Sequence, residues 1–565
     1  MRSAEMMCGV LTRMQSFRRF LGAGGRGRWS PVKRFVGLGT IIALSVSSSL
    51  LGRAQEQGTV TVSSAIESAP AVHHDVSPPL RAIPHAQRRV GPPREIPLRP
   101  FRPSEQKSVA SDPAVQQSAG FAIATTTGIG FDGIGVSTNY AVNDAPADPN
   151  GAPGVDQYVQ WVNEDFAVFD KGTGAMLYGP APGNTLWTGF GGPCETDNDG
   201  DPIVQYDKIA NRWVLTQFAV TGGPPFYQCV AVSTSPDATG SYNRFAFQYS
   251  NFNDYTKLGV WPDAYYVSFH MFKGSHFVGP RVCAYDRAAM LGTVARPVTQ
   301  QCVQLSSIYG GLLPSDLDGM IAPPAGSPNF FLAFGTNELQ LWKFHVDWTT
   351  PSNSTLAGPT LIPVASFSEA CNGGVCIPQP GTKQQLDSLG DRLMYRLAYR
   401  HFSDGHEALV TNHSVNPNIG NVVAAPRWYE LVNPPGQTMA DGIPVLAQQG
   451  TYAPDSTDRW MGSIAMDKVG NLALGYSASS GSLHPSIRFT GRAPGDLPGF
   501  LAIETSILDG TGSQTRNLSR WGDYSGMTID PTDDCTFWYT NQYLKTDGTD
   551  NWSTRIASFK FASCH

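Results

Sequence analysis

From residue 156 to residue 561 the chain alternates short apolar runs with polar, turn-rich stretches. The runs are too short for helices and favour a period of two, which predicts strands. Most open at Asp or Gly-Asp: DQYVQWVN at 156, GDPIVQYD at 200, WPDAYYVSF at 261, SDLDGMIA at 315, GDRLMYRLAY at 390, WMGSIAMD at 460 and WGDYSGMTID at 521. A second apolar run follows each opening and ends near a charged turn: FAVFDKGTG, CVAVSTSPD, VCAYDRAAM, LWKFHVDW, RWYELVN, SIRFTGR and RIASFKF.

The openings lie about 45 to 75 residues apart, room for a four-stranded unit with its loops. The expected architecture is therefore all-β: a β-propeller of seven blades, with the openings as first strands and the followers as third strands. Six blades with one decorated insertion is the alternative count. The last unit lacks a fourth strand, and GFAIATTTGIGFDG at 120 to 133 is expected to supply it and close the ring.

Composition suits this picture. Gly (59) and Pro (43) are abundant, aromatics reach 11% and charged residues only 15%, as short strands joined by many turns require. A net charge of -6 spread over 565 residues offers no footprint for nucleic acid or an anionic membrane. Near the N-terminus, basic residues precede the apolar FVGLGTIIALSVSSSLLG at 35 to 52 and the small Ala54, the order of a secretory signal over residues 1 to 54. Export to the periplasm or the exterior is expected, with no membrane insertion after cleavage. Residues 55 to 118, with PPLRAIPHAQRRVGPPREIPLRPFRP, read as a disordered pro-segment or linker, and 119 to 565 as the folded domain; a glycan or polysaccharide is the expected partner and a monomer the expected state.

Cys8 precedes the apolar segment; Cys194, Cys229, Cys283, Cys302, Cys371, Cys376, Cys535 and Cys564 remain. An even set in an exported chain predicts disulfides, with pairing between sequence neighbours preferred among about 105 connectivities. No CxxC, GxSxG or phosphate-binding loop occurs, and the histidines of HEALVTNH are spaced wrongly for a zinc protease.

Residues 233 to 242, STSPDATGSY, resemble the S-x-D-x-G-x-T-W Asp-box turn of sialidase-like propellers. Ser235, Asp237, Gly240 and Tyr242 match, with one extra residue before the glycine. Residues 120 to 565 also resemble a group of secreted bacterial propeller proteins carrying GDPIVQYD, RWMGSIAMD and RWGDYS…DPTDDCTFWYT. The resemblance implies a propeller and, less directly, a carbohydrate as substrate.

In such a ring the openings converge on one channel mouth. Asp201, Asp263, Asp316 or Asp318, Asp391 and Asp523 then become a candidate ring of carboxylates, whose crowding pushes pKa values apart as a glycosidase requires. Asp263, Asp391 and Asp523 are the candidate acids and bases, with Tyr524 as a candidate nucleophile. Asp at a strand entry equally often caps backbone N–H groups. Arg392, Arg459 and Arg520 each adjoin an opening and resemble the arginine triad of sialidases, which would select an acidic sugar. Packing of these arginines on aromatic rings between blades is the alternative. Trp261 and Trp521 are either a stacking floor for sugar or core. Asp197, Asp199 and Asp201 in ETDNDGDP form a candidate structural calcium turn; no other cofactor is implied. A sialidase-like glycoside hydrolase is the leading reading, with a non-catalytic glycan- or protein-binding propeller and a polysaccharide lyase as alternatives.

Overall fold

The computed structural model describes residues 65–89, 91–96, 98–101, 111–118, 120–137 and 140–565; the expected signal segment lies outside them. The described chain is all-β, a succession of antiparallel four-stranded meanders. The first sheet contains Asn150–Pro153, Gln157–Val162, Asp165–Asp170 and Met176–Pro182. The second contains Ile203–Asp207, Arg212–Ala219, Phe226–Ser233 and Tyr242–Tyr249. The third contains Phe252–Val260, Ala264–Lys273, His276–Asp286 and Thr299–Gln304. Leu313–Asp318, Asn329–Gly335, Glu338–His345 and Thr355–Pro363 make the fourth.

Met394–His401, Glu407–Asn416, Ala425–Val432 and Val445–Tyr452 make the fifth. The sixth is Asp458–Met466, Leu472–Ser479, Ser486–Arg492 and Thr505–Leu508. The seventh joins Gly526–Ile529, Thr536–Leu544 and Trp552–Phe561 to Thr125–Gly135, which pairs antiparallel with Trp552–Phe561.

First strands of successive sheets lie side by side, and those of the fourth and fifth form a parallel ladder at Ser315 to Asp318. Sheets thus cover one another face to face. Ala264–Lys273 (AYYVSFHMFK) is accordingly buried along both faces except at its last residue. All seven follower runs are third strands. Two openings are not first strands: DQYVQWVN and WPDAYYVSF fall on second strands. The true first strands there, NGAP and FNDYTKLGV, lack clean alternation because Gly, Pro, Asp and Lys interrupt them.

The expected linker over 55 to 118 is corrected for its described part. Glu67–Pro70 pairs with Thr299–Gln304, His73–Val76 with Tyr242–Tyr249, Arg94–Glu95 with Asp144–Ala145, and Val115–Gln116 with Thr451 and Tyr452. Outer edges of sheets offer unpaired N–H and C=O groups, and a polar segment can satisfy them without an apolar core of its own.

The cysteines pair as sequence neighbours: Cys194–Cys229, Cys283–Cys302, Cys371–Cys376 and Cys535–Cys564. Among the described residues no helix is long and apolar enough to cross a membrane. In STSPDATGSY, Asp237 accepts from Thr239 N at 2.9 Å and from Gln157 Nε2 at 3.0 Å, tying a turn to the first sheet. That role is structural.

Candidate functional site

Residues at or before the first strands of the first, second, third, fifth and seventh sheets meet at one small chamber of about 30 Å³. Its polar lining includes Asp148, Asp201, Asp254, Arg392, Arg520 and Asp523. Such a volume holds a water or two. Beside it opens a vestibule of about 520 Å³, walled by Phe218, Phe226 and Phe252 with Thr221, Asp199 and Asp254. Asp254, Asp199 and Phe218 border both spaces, which therefore adjoin.

Local backbone geometry aims these groups. Asp148, Asp201 and Tyr255 have φ of 46°, 49° and 54°, a left-handed conformation that non-glycine residues seldom hold without compensation. Gly200 (φ 97°) precedes Asp201, and a Cβ there would sit 1.8 Å from Asn163 Oδ1. Only glycine fits that turn. In Phe252–Val260 the register slips between Asp254 and Lys257, a bulge that re-aims side chains. Tyr255 N donates to Asp201 Oδ2 at 2.8 Å and Asp523 N to Asp148 Oδ1 at 2.8 Å, locking the turns together.

The electrostatics separate the carboxylates. Burial, reinforced by Asp201 and opposed by Arg99, pushes the half-buried Asp254 up to about 7. Charge rather than hydrogen bonding relates it to these neighbours. Asp148 and Asp201 are also raised, chiefly by burial. Asp523 instead pairs with Arg520 at 2.8 Å. Fully buried Lys257 lies 3.5 Å from the Tyr255 ring centre and 4.0 Å from that of Tyr524. Burial lowers it to about 8, against the pull of Asp201. A carboxyl near neutrality beside an ion-paired one can donate and accept a proton at working pH.

The residues expected from the sequence divide sharply. Asp523, Arg520 and Arg392 line the chamber. Asp391 is engaged by Arg392 through two bonds, at 2.7 and 3.1 Å. Asp263 is not in the chamber: on a second-strand entry, it accepts from Tyr266 OH at 3.2 Å, and burial pushes it up to about 6. Arg459 is also elsewhere, held by Glu504 and Asp455 at 2.8 to 3.0 Å. The expected arginine triad therefore reduces to two, each already facing a carboxylate.

Trp261 and Trp521 are core. Trp261 packs on Phe330 and Tyr399 and donates to Ser327 O; Trp521 packs on Trp460 and donates to Ser477 Oγ. Tyr524 is fully buried, donates to Pro202 O at 3.0 Å, and is held well above its ordinary pKa by burial and by Asp148. A phenol so placed stays protonated and is no nucleophile.

The calcium turn disperses: Asp199 accepts from Val220 N and Thr221 N, Asp201 faces the chamber, and Asp197 stays at the surface near Gly222 N. Among the described residues no group of three or more His, Cys, Asp or Glu is arranged to hold a metal ion. Asp254 and Asp148 went unrecognised in the sequence. The only signal was a charged interruption, NDYTK, inside a strand run.

No family model matches the chain, and no curated protein matches it. Among solved structures it is similar to the N-terminal domain of Nup159 (TM-score 0.32, 9% identity, 83% of this chain and 100% of that one). It is also similar to the WD40 domain of SCAP from fission yeast (0.30, 10%, 72% and 82%) and an endo-arabinase from Bacteroides thetaiotaomicron (0.26, 13%, 55% and 95%). Likeness this distant transfers neither a detailed fold nor an activity.

Proposed function

We propose that the protein is an exported seven-bladed β-propeller that hydrolyses a neutral glycan, with Asp254 as general acid and Asp523 as the second carboxylate of the pair. Seven successive meanders, side-by-side first strands and the pairing of Thr125–Gly135 with the last strand support the closed ring. Four disulfides support export.

The observation that carries the chemistry is Asp254: half-buried, pushed up to about 7, and open to both chamber and vestibule. Protonated, it can give its proton to a leaving glycosidic oxygen, while Asp523, paired with Arg520 at 2.8 Å, serves as base or nucleophile. The Phe226 and Phe252 faces offer stacking for sugar rings. A neutral substrate is favoured because Arg392 and Arg520 each already face a carboxylate, Asp391 and Asp523, which offsets the positive charge an acidic sugar would need. A lyase is disfavoured for the same reason.

The test is release of reducing ends from a panel of neutral and acidic glycans. Wild type should turn over a neutral member, and Asp254→Asn should lose at least about 100-fold in kcat while remaining folded. Binding of a glycan without turnover by wild type would favour the non-catalytic reading, for which the two Arg–Asp pairs already speak.

A further inference from the structure

The chamber is far smaller than the roughly 300 Å³ that small-molecule sites ordinarily need. Its roof is the chain's own N-terminal segment. Arg94 and Glu95 add a two-residue parallel ladder to Asp144 and Ala145, and Ile96 N donates to Ala145 O at 2.7 Å. Arg94 is clamped to Glu164. Ile96, Leu98 and Arg99 then wall the chamber, and Ile96 O accepts from Arg520 Nε at 3.1 Å. Arg99 lies 4.4 Å over the Phe252 ring, on the vestibule wall. Phe101, only 4% exposed, packs on His270 at 4.3 Å with the Arg392 guanidinium 4.8 Å from its ring centre.

We infer that residues 94–96 and 98–101 are a built-in, displaceable occupant of the substrate cleft, so that the chain as folded is held in a closed state. The identity of the ligand that replaces them rests on the proposed glycan hydrolysis; the occupancy does not. Three features mark an occupant rather than a wall. The segment covers the same arginines, Arg392 and Arg520, that border the acid pair. Its attachment, a two-residue ladder, one ion pair, the Ile96 bonds to Ala145 and Arg520, and the packing of Arg99 and Phe101 on neighbouring rings, is lighter than that of the four-stranded meanders beneath. It also leaves a donor unused: Arg520 Nη1 is buried with no acceptor among the described residues. A buried donor left unpaired costs about 1–3 kcal/mol, so the segment fits the site less well than a ligand with a hydroxyl there would. On its departure Arg520 Nε and Nη1 would both be open to sugar oxygens, and chamber and vestibule would merge.

The experiment uses the full chain with Asp523→Cys as a reporter inside the chamber and follows alkylation of the introduced thiol by iodoacetamide, with the parent chain correcting for Cys8. Adding Phe101→Ala should speed alkylation at least tenfold, and adding Arg94→Ala, which leaves the apolar anchor intact, about threefold. Unfolding midpoints measured in parallel identify a variant that has merely lost its fold; if Phe101→Ala does, Arg94→Ala decides. Rates unchanged in a folded variant, or already at the free-thiol rate with the segment intact, overturn the inference. In chains retaining Asp523, Phe101→Ala should also raise turnover of the neutral glycan at least tenfold. Faster alkylation with no turnover in any chain would leave the occupant standing and refute the hydrolase.

Discussion

Asp316 and Asp318 sit on the first strand of the fourth sheet and share one guanidinium, Arg396, whose Nε and Nη1 reach them at 3.0 and 2.8 Å. Asp316 also accepts from Val260 N and Gln205 Nε2, each at 2.9 Å, and Lys208 stands near Asp318. Despite full burial, Arg396 and Lys208 hold Asp318 below its ordinary value. The chamber carboxylates lie at or before the starts of inner strands in other sheets, and among the described residues Asp254 has no such clamp and rises to about 7. Both clusters are aspartates on or beside inner strands, the chamber set at the strand starts and Asp316 and Asp318 toward the end of Leu313–Asp318. The difference is satisfaction: where every oxygen has a donor the carboxylate fastens sheets together, and where a cavity replaces the donor it can exchange protons with a ligand.

Breaking the clamped cluster should give the largest effect. Arg396→Leu strips two buried carboxylates of their shared guanidinium and should cost about 3–5 kcal/mol, read as a fall of the unfolding midpoint. Asp254→Asn should do the reverse, removing turnover while leaving the midpoint within a few degrees; a large loss of stability there would place Asp254 with the fasteners.

The pH response sharpens the contrast. A folded-state pKa raised above the ordinary 3.8 means that folding favours the protonated form, so this contribution to stability is present below about pH 4 and lost as pH rises through 7. Wild type should therefore lose about 2 kcal/mol more than Asp254→Asn between pH 5 and pH 8, measured by denaturant titration at both. Turnover should fall on the alkaline side of about 7 as the acid loses its proton, and the acid limb should be insensitive to Asp316→Asn. The smallest effect belongs to Arg459→Gln, which cuts the bonds to Glu504 and Asp455 and should lower the midpoint with KM unchanged. A tenfold rise in KM would bring that arginine back to the substrate.

Most of the scaffold was legible in the residues because its signals are local. Third strands are apolar runs ending at a charged turn, and all seven could be read from that alone. Nearest-neighbour cysteine pairing was legible for the same reason, since hairpin neighbours in sequence are neighbours in space. The site was legible only in part. RWGDYSGMTIDP supplies Arg520 and Asp523 to the chamber lining, but its neighbour Tyr524 turns inward to Pro202. Asp263 looked equivalent to Asp523 because WPDAYYVSF resembles an opening, and only the pairing shows it to begin a second strand.

Sequence alone determined the strand content and the repeat and favoured the disulfide partners, all set by periodicity and by contacts between near neighbours. Tertiary structure decided which aspartates face a cavity and which face an arginine, because that depends on sheets far apart in sequence meeting at their inner strands. It also decided the fate of the Pro- and Arg-rich segment, which has too little apolar surface to fold alone yet finds its bonds on edges and in a cleft that the rest of the chain builds.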